Sequence, residues 1–339
     1  MGDGMKVTVH DIAVKAGVSD GSVSNALNNR KGISDEKREQ ILKVAREMGY
    51  FKKSIKDNKA LRFVVLNKTK HVIGDTPFFS ELIRGIETES SALGFDLLVS
   101  HITVDEDKSV DIDDVLKQDL VDGILLLGTE MNYEDLMAFE ALSIPIVVVD
   151  TVFRTQKFDF VAINNIDGTY EIVSHLIKHG HKNIGLINSA YQINNFRERK
   201  HGYEQAMSDH QLACYPQNEA LVEPSLDGAY ADMKEYLKSF LQEGEPLPTA
   251  YFAVNDNIAL GAMKAFKEFG LDVSIVGFDD LPLCGYCDPP LTTVQVDKIN
   301  LGSKAVQRLV SKITEKDHSK LQILVGTKLV ERESVKRIA

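Results

Sequence analysis

The chain has 339 residues, enough for two or three domains, and its 43% hydrophobic and 26% charged residues are ordinary for a globular protein. It begins "MGDGMKVTVH", without the apolar segment of a secretory signal, and no apolar run reaches the roughly 18 residues that cross a bilayer. We therefore expect a cytoplasmic protein that does not span a membrane. The net charge of −11 argues against nucleic acid as a partner of the whole chain, and three cysteines are too few for a disulfide framework.

The charge is unevenly distributed. Residues 1–62 contain 13 Lys and Arg against 8 Asp and Glu, whereas the rest of the chain contains 26 against 42. A basic N-terminal segment on an acidic body is typical of a nucleic-acid-binding module joined to another domain. Because phosphate repels the acidic body, we expect contact with nucleic acid only through the basic end.

The first predicted elements are three short helices between residues 8 and 50. Apolar residues recur there at helical spacing, at Ile12, Ala13, Ala16 and Val18, then Val23, Ala26 and Leu27, then Ile41, Val44, Ala45 and Met48. Gly17 lies where the first turn needs a flexible backbone, and Ser19 and Ser34 would cap the helices that follow them. The pattern is typical of a helix-turn-helix, which places its second helix in the major groove. An ordinary helical hairpin is the alternative, which the local positive charge and the third helix disfavour.

Residues 51–61, "FKKSIKDNKAL", are polar and basic and predict a linker. Apolar strands and amphipathic helices then alternate. The predicted strands are "RFVVLN", "FDLLVS", "VDGILLLG", "IPIVVVD", "NIGLIN", "TAYFAV", "VSIVGF" and "LQILVGTKLVER". The predicted helices are "PFFSELIRGIETESSALG" and residues 108–118, 132–141, 168–179, 199–209, 228–241, 258–269 and 299–313. This alternation predicts two α/β halves with parallel sheets, whose ligands bind at the carboxyl ends of the strands.

Many segments resemble, in order and over essentially the whole chain, those of the LacI/GalR (lactose-repressor) family of bacterial transcription regulators. Among them are "VTVHDIAVKAGVSDGSVSNALNN", "PFFSELIRGIE", "HLIKHGHKNIGLI", "NDNIALGAMKA", "VSIVGFDDLPL" and "DPPLTTVQVD". The resemblance implies a small all-α helix-turn-helix head on an α/β core of two lobes similar to periplasmic binding proteins, each lobe a doubly wound parallel sheet. We assign the head to 1–50, the linker to 51–61, the N-lobe to 62–163 and 298–325, and the C-lobe to 164–297 and 326–339.

The resemblance also implies the function and the partners. It implies a transcriptional repressor, typically a homodimer, that binds double-stranded operator DNA. A small molecule between the lobes would control this binding. A sugar-binding protein or sugar-modifying enzyme with an incidental helical head is one alternative, and a regulator controlled by a protein corepressor is another. We find no catalytic constellation, no phosphate-binding glycine loop, and no motif for a metal or cofactor.

Residues of the head are expected to contact DNA because they match family positions. Asp20, Gly21 and Asn25 match base-reading positions of the recognition helix, which Ser19 caps; Thr8, His10, Ser22, Ser24, Ser34 and Lys37 match positions that touch phosphate, and Asn28 matches one that faces DNA. The family commonly has Arg where this chain has Asn25. Because Arg prefers guanine and Asn prefers adenine, we expect adenine opposite this residue. Asp20 would repel phosphate, so it either accepts from cytosine or caps the helix, and we favour capping.

The linker departs from the family pattern. Relatives usually continue with Pro-Asn and an Ala-Arg-x-Leu hinge helix whose leucine wedges into the minor groove, and both motifs are missing after Tyr50. Ile55 or Leu61 would replace the wedge. A plain tether that contacts phosphates through its lysines is the alternative.

For the effector pocket, matched motifs nominate Asp75, Phe78, Phe79, Asp150, Arg199, Asn255 and Asp279. Carboxylates, an amide and a guanidinium beside an aromatic wall suit a sugar or a sugar phosphate, whose hydroxyls need several donors and acceptors. We expect at least one of Phe78 and Phe79 to be a core residue. We also expect Asp256 to cap the following helix, so that Asn255 faces the cleft. "CGYC", residues 284–287, has redox-motif spacing but lacks the strand-to-helix context of a redox site, so a structural role is favoured.

Overall fold

The computed structural model describes residues 7–27, 33–48, 59–68, 72–73, 77–103, 121–155, 157–244 and 246–338, and the chain divides into two compact units, Met1–Ala60 and Leu61–Ala339. The predicted helix at 108–118, most of the linker, and the predicted site residues Asn28 and Asp75 lie outside the described residues. No helix in the described parts of the chain is both long enough and apolar enough to span a membrane.

The N-terminal unit contains α1 (Val9–Ala16), α2 (Asp20–Leu27) and α3 (Asp35–Glu47). Thr8 and Asp11 form a capping box at the start of α1, and Gly17 ends that helix at a φ of 65°, in the left-handed region that favours glycine. Ser22 N–H donates to Ser19 Oγ at 3.2 Å, which confirms Ser19 as the cap of α2. The expectation that Asp20 caps this helix is wrong, because Asp20 is already the first helical residue and Ser19 occupies the capping position.

The apolar positions of the three helices meet in one small core. Its buried members are Ile12, Ala13, Val23, Ala26, Ile41 and Ala45, with Val7, Val9, Ala16, Val18, Leu27, Ile33, Val44 and Met48 packed around them. These include every residue that the helical spacing predicted to face inward. The polar faces of α1 and α2 are thereby left at the surface.

The larger unit contains a six-stranded sheet of order β11-β5-β4-β3-β1-β2. Its strands are β1 (Lys59–Asn67), β2 (Phe95–Thr103), β3 (Gly123–Leu127), β4 (Ile146–Val149), β5 (Asp159–Ile163) and β11 (Gln322–Val325). Parallel pairing joins β11 to β5, β5 to β4, β4 to β3 and β3 to β1. The helices that accompany these strands are α4 (Pro77–Ala92), α5 (Tyr133–Ala138) and α10 (Lys298–Thr314).

A second, four-stranded sheet has the order β7-β6-β8-β9, with parallel pairing throughout. Its strands are β6 (Ile184–Ser189), β7 (Glu219–Val222), β8 (Ala250–Ala253) and β9 (Ser274–Val276). The helices between them are α6 (Asn165–Lys178), α7 (Asn194–Asp209), α8 (Leu226–Glu243) and α9 (Asp256–Glu268). β10 (Thr293–Val296) and β12 (Thr327–Val330) form a separate antiparallel pair.

Within the described residues, the chain passes between the two sheet regions at three points. Asn164 caps α6 directly after β5, Asp297 caps α10 directly after β10, and Gly326 separates β11 from β12. Asn164 N–H also donates to Val325 O at 2.9 Å, which ties two of these crossings together. Two of the three crossings therefore begin with a helix cap, and the third is a single glycine between two strands.

Glycine allows α4 and α10 to pack closely against each other. A Cβ added at Gly302 of α10 would lie 2.6 Å from Leu82 O and 2.8 Å from Ile86 N of α4. Both neighbours are backbone atoms, which cannot move aside as a flexible side chain can. The contact of these two helices therefore requires glycine at residue 302.

Candidate functional site

A cleft of about 480 Å³, partly open to solvent, lies where the carboxyl ends of strands from both sheets meet. Its lining residues are Val72, Phe78, Phe79, Thr129, Asp150, Ile193, Asn195, Arg199, Pro224, Asn255, Asn257, Asp279 and Leu281. Six of the seven residues that the sequence nominated are in this set, and the seventh, Asp75, lies outside the described residues. The cleft thus brings together side chains from positions 78 to 279 of the chain.

Asp150 directly follows β4 and is the deepest polar residue of the cleft, with 1% of its surface exposed. Its φ of 71° is unusual for a residue other than glycine and marks local strain of the kind found at binding sites. Thr129 Oγ1 donates to Asp150 Oδ2 at 2.5 Å, and Asn195 Nδ2 donates to the same oxygen at 3.2 Å. The other oxygen, Oδ1, is buried and has no hydrogen-bond partner among the described residues. A ligand that donates a hydrogen bond would satisfy it.

Burial raises the pKa of Asp150 to about 7, and the hydrogen bond from Thr129 opposes this rise only in part. The nearby Asp279 carboxyl also disfavours ionisation of Asp150, whereas Arg199 favours it. The carboxyl group of Asp150 therefore changes its protonation state near neutral pH.

Arg199 lies on α7 and is 3% exposed. Its Nε donates to Asn165 Oδ1 at 2.9 Å, its Nη1 to Val254 O at 2.7 Å, and its Nη2 to Asp279 Oδ1 at 3.1 Å. The guanidinium also lies 3.8 Å from the centre of the Phe278 ring. Arg199 thus connects three segments of the C-terminal half and pairs its charge with a protein carboxylate.

Asp279 follows β9 with a φ of 115°, a second strained backbone at the cleft. Burial raises the pKa of its carboxyl group, while the charges of Arg199 and Lys298 oppose this rise. Lys298 Nζ donates to the backbone oxygen of Asp279 at 2.6 Å. Because Lys298 begins α10, this bond connects the loop after β9 to a helix that packs on the six-stranded sheet.

The capping role expected of Asp256 belongs to Asn255 instead. Ile258 N–H donates to Asn255 Oδ1 at 2.9 Å, and Asn255 also lines the cleft. Asp256 is fully buried and accepts hydrogen bonds from Leu281 N–H at 2.8 Å and Thr293 Oγ1 at 2.6 Å, and burial raises its pKa to about 7. The expectation was wrong because these two partners are 25 and 37 residues away along the chain.

Phe78 and Phe79 form an aromatic wall at the start of α4, with ring centres 5.0 Å apart in an edge-to-face arrangement. Phe78 is 7% exposed and belongs to the hydrophobic core, as expected of one member of the pair. Phe79 is half-buried and packs against that core. Both rings also line the cleft, so the core role and the cleft role coexist.

Two polar residues that contact Asp150, Thr129 and Asn195, were not predicted from the sequence. Thr129 directly follows Gly128 at the end of β3, and Asn195 lies one helical turn before Arg199. The missed signal was the spacing of four residues, which places Asn195 and Arg199 on one face of a helix. It was missed because α7 begins at Asn194, five residues before the predicted start.

The described DNA-binding residues predicted for the head lie on its three helices or directly before them. Thr8, His10, Ser19, Asp20, Gly21, Ser34 and Lys37 are exposed, and Ser22, Ser24 and Asn25 are half-buried. Several of the hydroxyl groups are engaged in caps: Thr8 with Asp11, Ser19 with Ser22, and Ser34 with Lys37 N–H at 3.4 Å. His10 Nδ1 lies 3.2 Å from Asp20 Oδ1, a contact between α1 and α2 that the sequence did not indicate.

The "CGYC" cysteines lie in a short turn after β9. Cys284 is buried, and burial raises the pKa of its thiol and that of Cys287. Cys287 Sγ donates to the backbone oxygens of Cys284 and Pro289. Since reactive cysteines have lowered pKa values, these features favour the structural role.

Comparisons with known proteins agree with both units. A family model described as "Bacterial regulatory proteins, lacI family" matches residues 8–52, and one for a periplasmic binding protein-like domain matches residues 173–335. The HTH-type transcriptional repressor PurR of Haemophilus influenzae (strain PittEE) is 32% identical over 348 residues, covering 98% of this chain and 99% of the relative. PurR of Pasteurella multocida (strain Pm70) is 32% identical over 342 residues, covering 97% of this chain and 98% of the relative.

Two solved structures share the fold over nearly the whole chain. The lac repressor dimer bound to operator and the anti-inducer ONPF has a TM-score of 0.71 and 26% identity, covering 98% of this chain and 100% of that chain. The transcriptional regulator CelR in complex with cellobiose has a TM-score of 0.71 and 24% identity, covering 97% of this chain and 99% of that chain.

Proposed function

Because this chain belongs to the LacI family of bacterial regulatory proteins, we propose that its N-terminal unit binds operator DNA and that a small molecule in the cleft of Leu61–Ala339 controls this binding. The family makes it a DNA-binding transcriptional repressor with a small-molecule effector. We propose a cytoplasmic homodimer with the domain bounds predicted from the sequence, except that the linker ends before Lys59, where β1 begins. Leu61 is buried in β1, so the prediction that it could replace the minor-groove wedge is wrong.

We propose an unphosphorylated sugar as the effector. The observation that carries this proposal is the buried Oδ1 of Asp150, which lacks a partner and needs a donor such as a hydroxyl group. Asn255 and Asp279 add polar groups on the opposite side of the cleft, and Phe79 offers a ring for the apolar face of a sugar.

The charges of the cleft disfavour the sugar phosphate that the sequence left open. Among the described lining residues, the cation is Arg199 and the carboxylates are Asp150 and Asp279. Arg199 already forms an ion pair with Asp279, so its charge is not available to a phosphate group. The carboxylates of Asp150 and Asp279 would repel that group.

Control of DNA binding requires that the effector favour one arrangement of the lobes. Bonds from α7 and α10 across the cleft, such as Asn195 to Asp150 and Lys298 to Asp279, would break or shift when the lobes rotate. In a homodimer, such a rotation changes the separation of the two heads. Half-sites lie about one helical turn of DNA apart, so a small change in separation weakens binding.

For DNA contact we propose Asp20, Gly21 and Asn25 at the bases, and we assign Thr8, His10, Ser22, Ser24, Ser34 and Lys37 to phosphates. Asn28 is proposed to face DNA as well. Their support is their match to the lacI family model over residues 8–52 and, for those that the structure describes, an exposed or half-buried position on or next to the helices of the basic unit.

Two measurements together test the proposal. The affinity of the full chain for a selected duplex is measured against salt concentration, and a thermal-shift screen covers sugars, sugar phosphates and nucleosides. We expect a steep fall in affinity with salt, a rise in melting temperature with an unphosphorylated sugar, and a change in duplex affinity when that sugar is added.

Each alternative predicts a different outcome. A sugar-binding protein or enzyme with an incidental head would bind a sugar but would not select a duplex. A regulator controlled by a protein corepressor would select a duplex without responding to any small molecule. A melting temperature raised only by sugar phosphates would contradict the proposed effector class.

A further inference from the structure

His10 of α1 and Asp20 of α2 form an exposed pair on the helix-turn-helix. His10 Nδ1 lies 3.2 Å from Asp20 Oδ1 and 3.3 Å from Oδ2, and the two side chains are 73% and 59% exposed. Asp20 is the first residue of the helix that is proposed to enter the major groove. In that placement, the Asp20 carboxylate would face the negatively charged surface of the duplex.

The hydrogen bond determines what His10 can offer to DNA. When Nδ1–H donates to Asp20, the exposed Nε2 of a neutral ring carries a lone pair and can only accept. Phosphate oxygens also only accept, so a neutral ring in this tautomer cannot bind them. Protonation converts Nε2 into a donor and keeps the bond from Nδ1–H to the carboxylate.

We propose that His10 is a proton-linked phosphate contact: binding to duplex DNA protonates His10, whose Nε2–H then donates to a phosphate while Asp20 orients the ring through Nδ1–H. The inference rests on the proposed placement of α1 and α2 against DNA. The proton comes from solvent, and the phosphate that accepts from Nε2–H carries the opposite charge. Histidine is the residue whose ordinary titration falls between pH 5 and 8.

The charged groups around His10 agree with this assignment. On α1, Asp11 is the neighbouring residue, and its pKa is lowered by hydrogen bonds from Thr8 and, to a smaller extent, by the charge of His10. On α2 the facing group is Asp20. Within the described part of α3 and the residues around it, 33–48, no charged group forms an ion pair with His10. Asp20 is therefore the group that orients the ring.

The test measures duplex binding by the full chain between about pH 6 and about pH 8, at constant salt, with a labelled duplex of mixed sequence. The variants are His10→Asn, Asp20→Asn and, as a matched control, His201→Asn, which changes an exposed histidine of α7. Circular dichroism of each variant checks that it is folded. Both head residues are exposed, so their replacement should leave the core of the head intact.

For the wild type we expect affinity to fall as pH rises, by up to about tenfold per pH unit for one linked proton. His10→Asn should lose this dependence, while His201→Asn should keep it. Asp20→Asn should bind more tightly than the wild type at the highest pH, because the repulsive carboxylate is gone. At the lowest pH, the slope of log affinity against log salt should be steeper for the wild type than for His10→Asn by about 0.9.

The outcomes separate this inference from the proposed function. If no variant binds duplex at any pH, the proposed role of the head fails. If the wild type binds and His10→Asn retains the same dependence on pH, binding to DNA stands and the proton-linked contact is wrong.

Discussion

Asn195 of α7 donates a hydrogen bond of 3.2 Å to Asp150, which follows β4 in the other sheet region, so the cleft has a direct polar bond across it. Asn194, the neighbouring residue, donates to Val152 O at 2.8 Å. The start of α7 is thereby fastened to the loop that carries the most deeply buried carboxyl of the site. The orientation of Asp150 depends on both sheet regions and cannot be a property of β4 alone.

The raised pKa of Asp150 predicts how stability depends on pH. Between about pH 4 and about pH 7 the folded protein keeps a proton on Asp150 that the unfolded chain has released. The free energy of unfolding contributed by this group therefore falls as pH rises through that window and levels off above it. Between pH 5 and pH 8, the free energy of unfolding of Asp150→Asn should fall by roughly 2–3 kcal/mol less than that of the wild type.

Chemical denaturation at the two pH values measures this difference. Asp256 titrates in the same window in both proteins, so the comparison isolates Asp150. Asp209→Asn, which changes an exposed carboxyl at the end of α7, is the matched control and should follow the wild type. Identical pH dependence of Asp150→Asn and the wild type would contradict the assignment.

Removal of Arg199 should destabilise the larger unit. Arg199→Met leaves the Asp279 carboxylate without its ion pair and Val254 O without its donor, at a cost of about 3–5 kcal/mol in the free energy of unfolding. Arg197→Met, at an exposed position of the same helix, should change it little. Urea denaturation measures both. Adding Asp279→Asn to Arg199→Met should recover part of the loss, and strict additivity of the two changes would show that the pair is not coupled.

The close packing of α4 and α10 makes a simple prediction about Gly302. In Gly302→Ala the new Cβ would lie 2.6 Å from Leu82 O, so the helices must separate, and we expect a loss of about 1–3 kcal/mol. Gly285→Ala is the control, because a Cβ there meets no atom within 4 Å. Thermal unfolding of the two variants should differ clearly. Equal melting temperatures would mean that α4 and α10 pack less closely at Gly302 than the 2.6 Å from an added Cβ to Leu82 O requires.

Asn25 predicts a specific base preference. Asn25→Arg should change the preferred base at one operator position from adenine to guanine, because Arg pairs with guanine O6 and N7. Binding-site selection with both proteins measures this, and an unchanged preference would rule out the role.

Lys37→Ala should instead weaken binding on all sequences about equally and reduce the salt slope by about one, as expected for a phosphate contact.

Local signals in the sequence determined much of the fold. The helices of the head, the caps at Ser19 and Ser34, and the left-handed Gly17 were predictable because periodicity and capping involve residues only a few positions apart. The alternation of strands and helices predicted the parallel sheets for the same reason. The cleft residues Asp150, Asn255 and Asp279 were nominated because they follow predicted strands and match motifs of a known family.

Interactions between distant segments were decided only by the tertiary structure. The strands β5, β7 and β10 were not predicted from the sequence, and pairing with β4 and β11, with β6, and with β12 defines them. Asp256 was expected to cap a helix, yet it bonds to Leu281 and Thr293 because folding brings them to it. The same holds for His10 with Asp20 and for Asn195 with Asp150, since a sequence states which side chains exist and packing decides which of them meet.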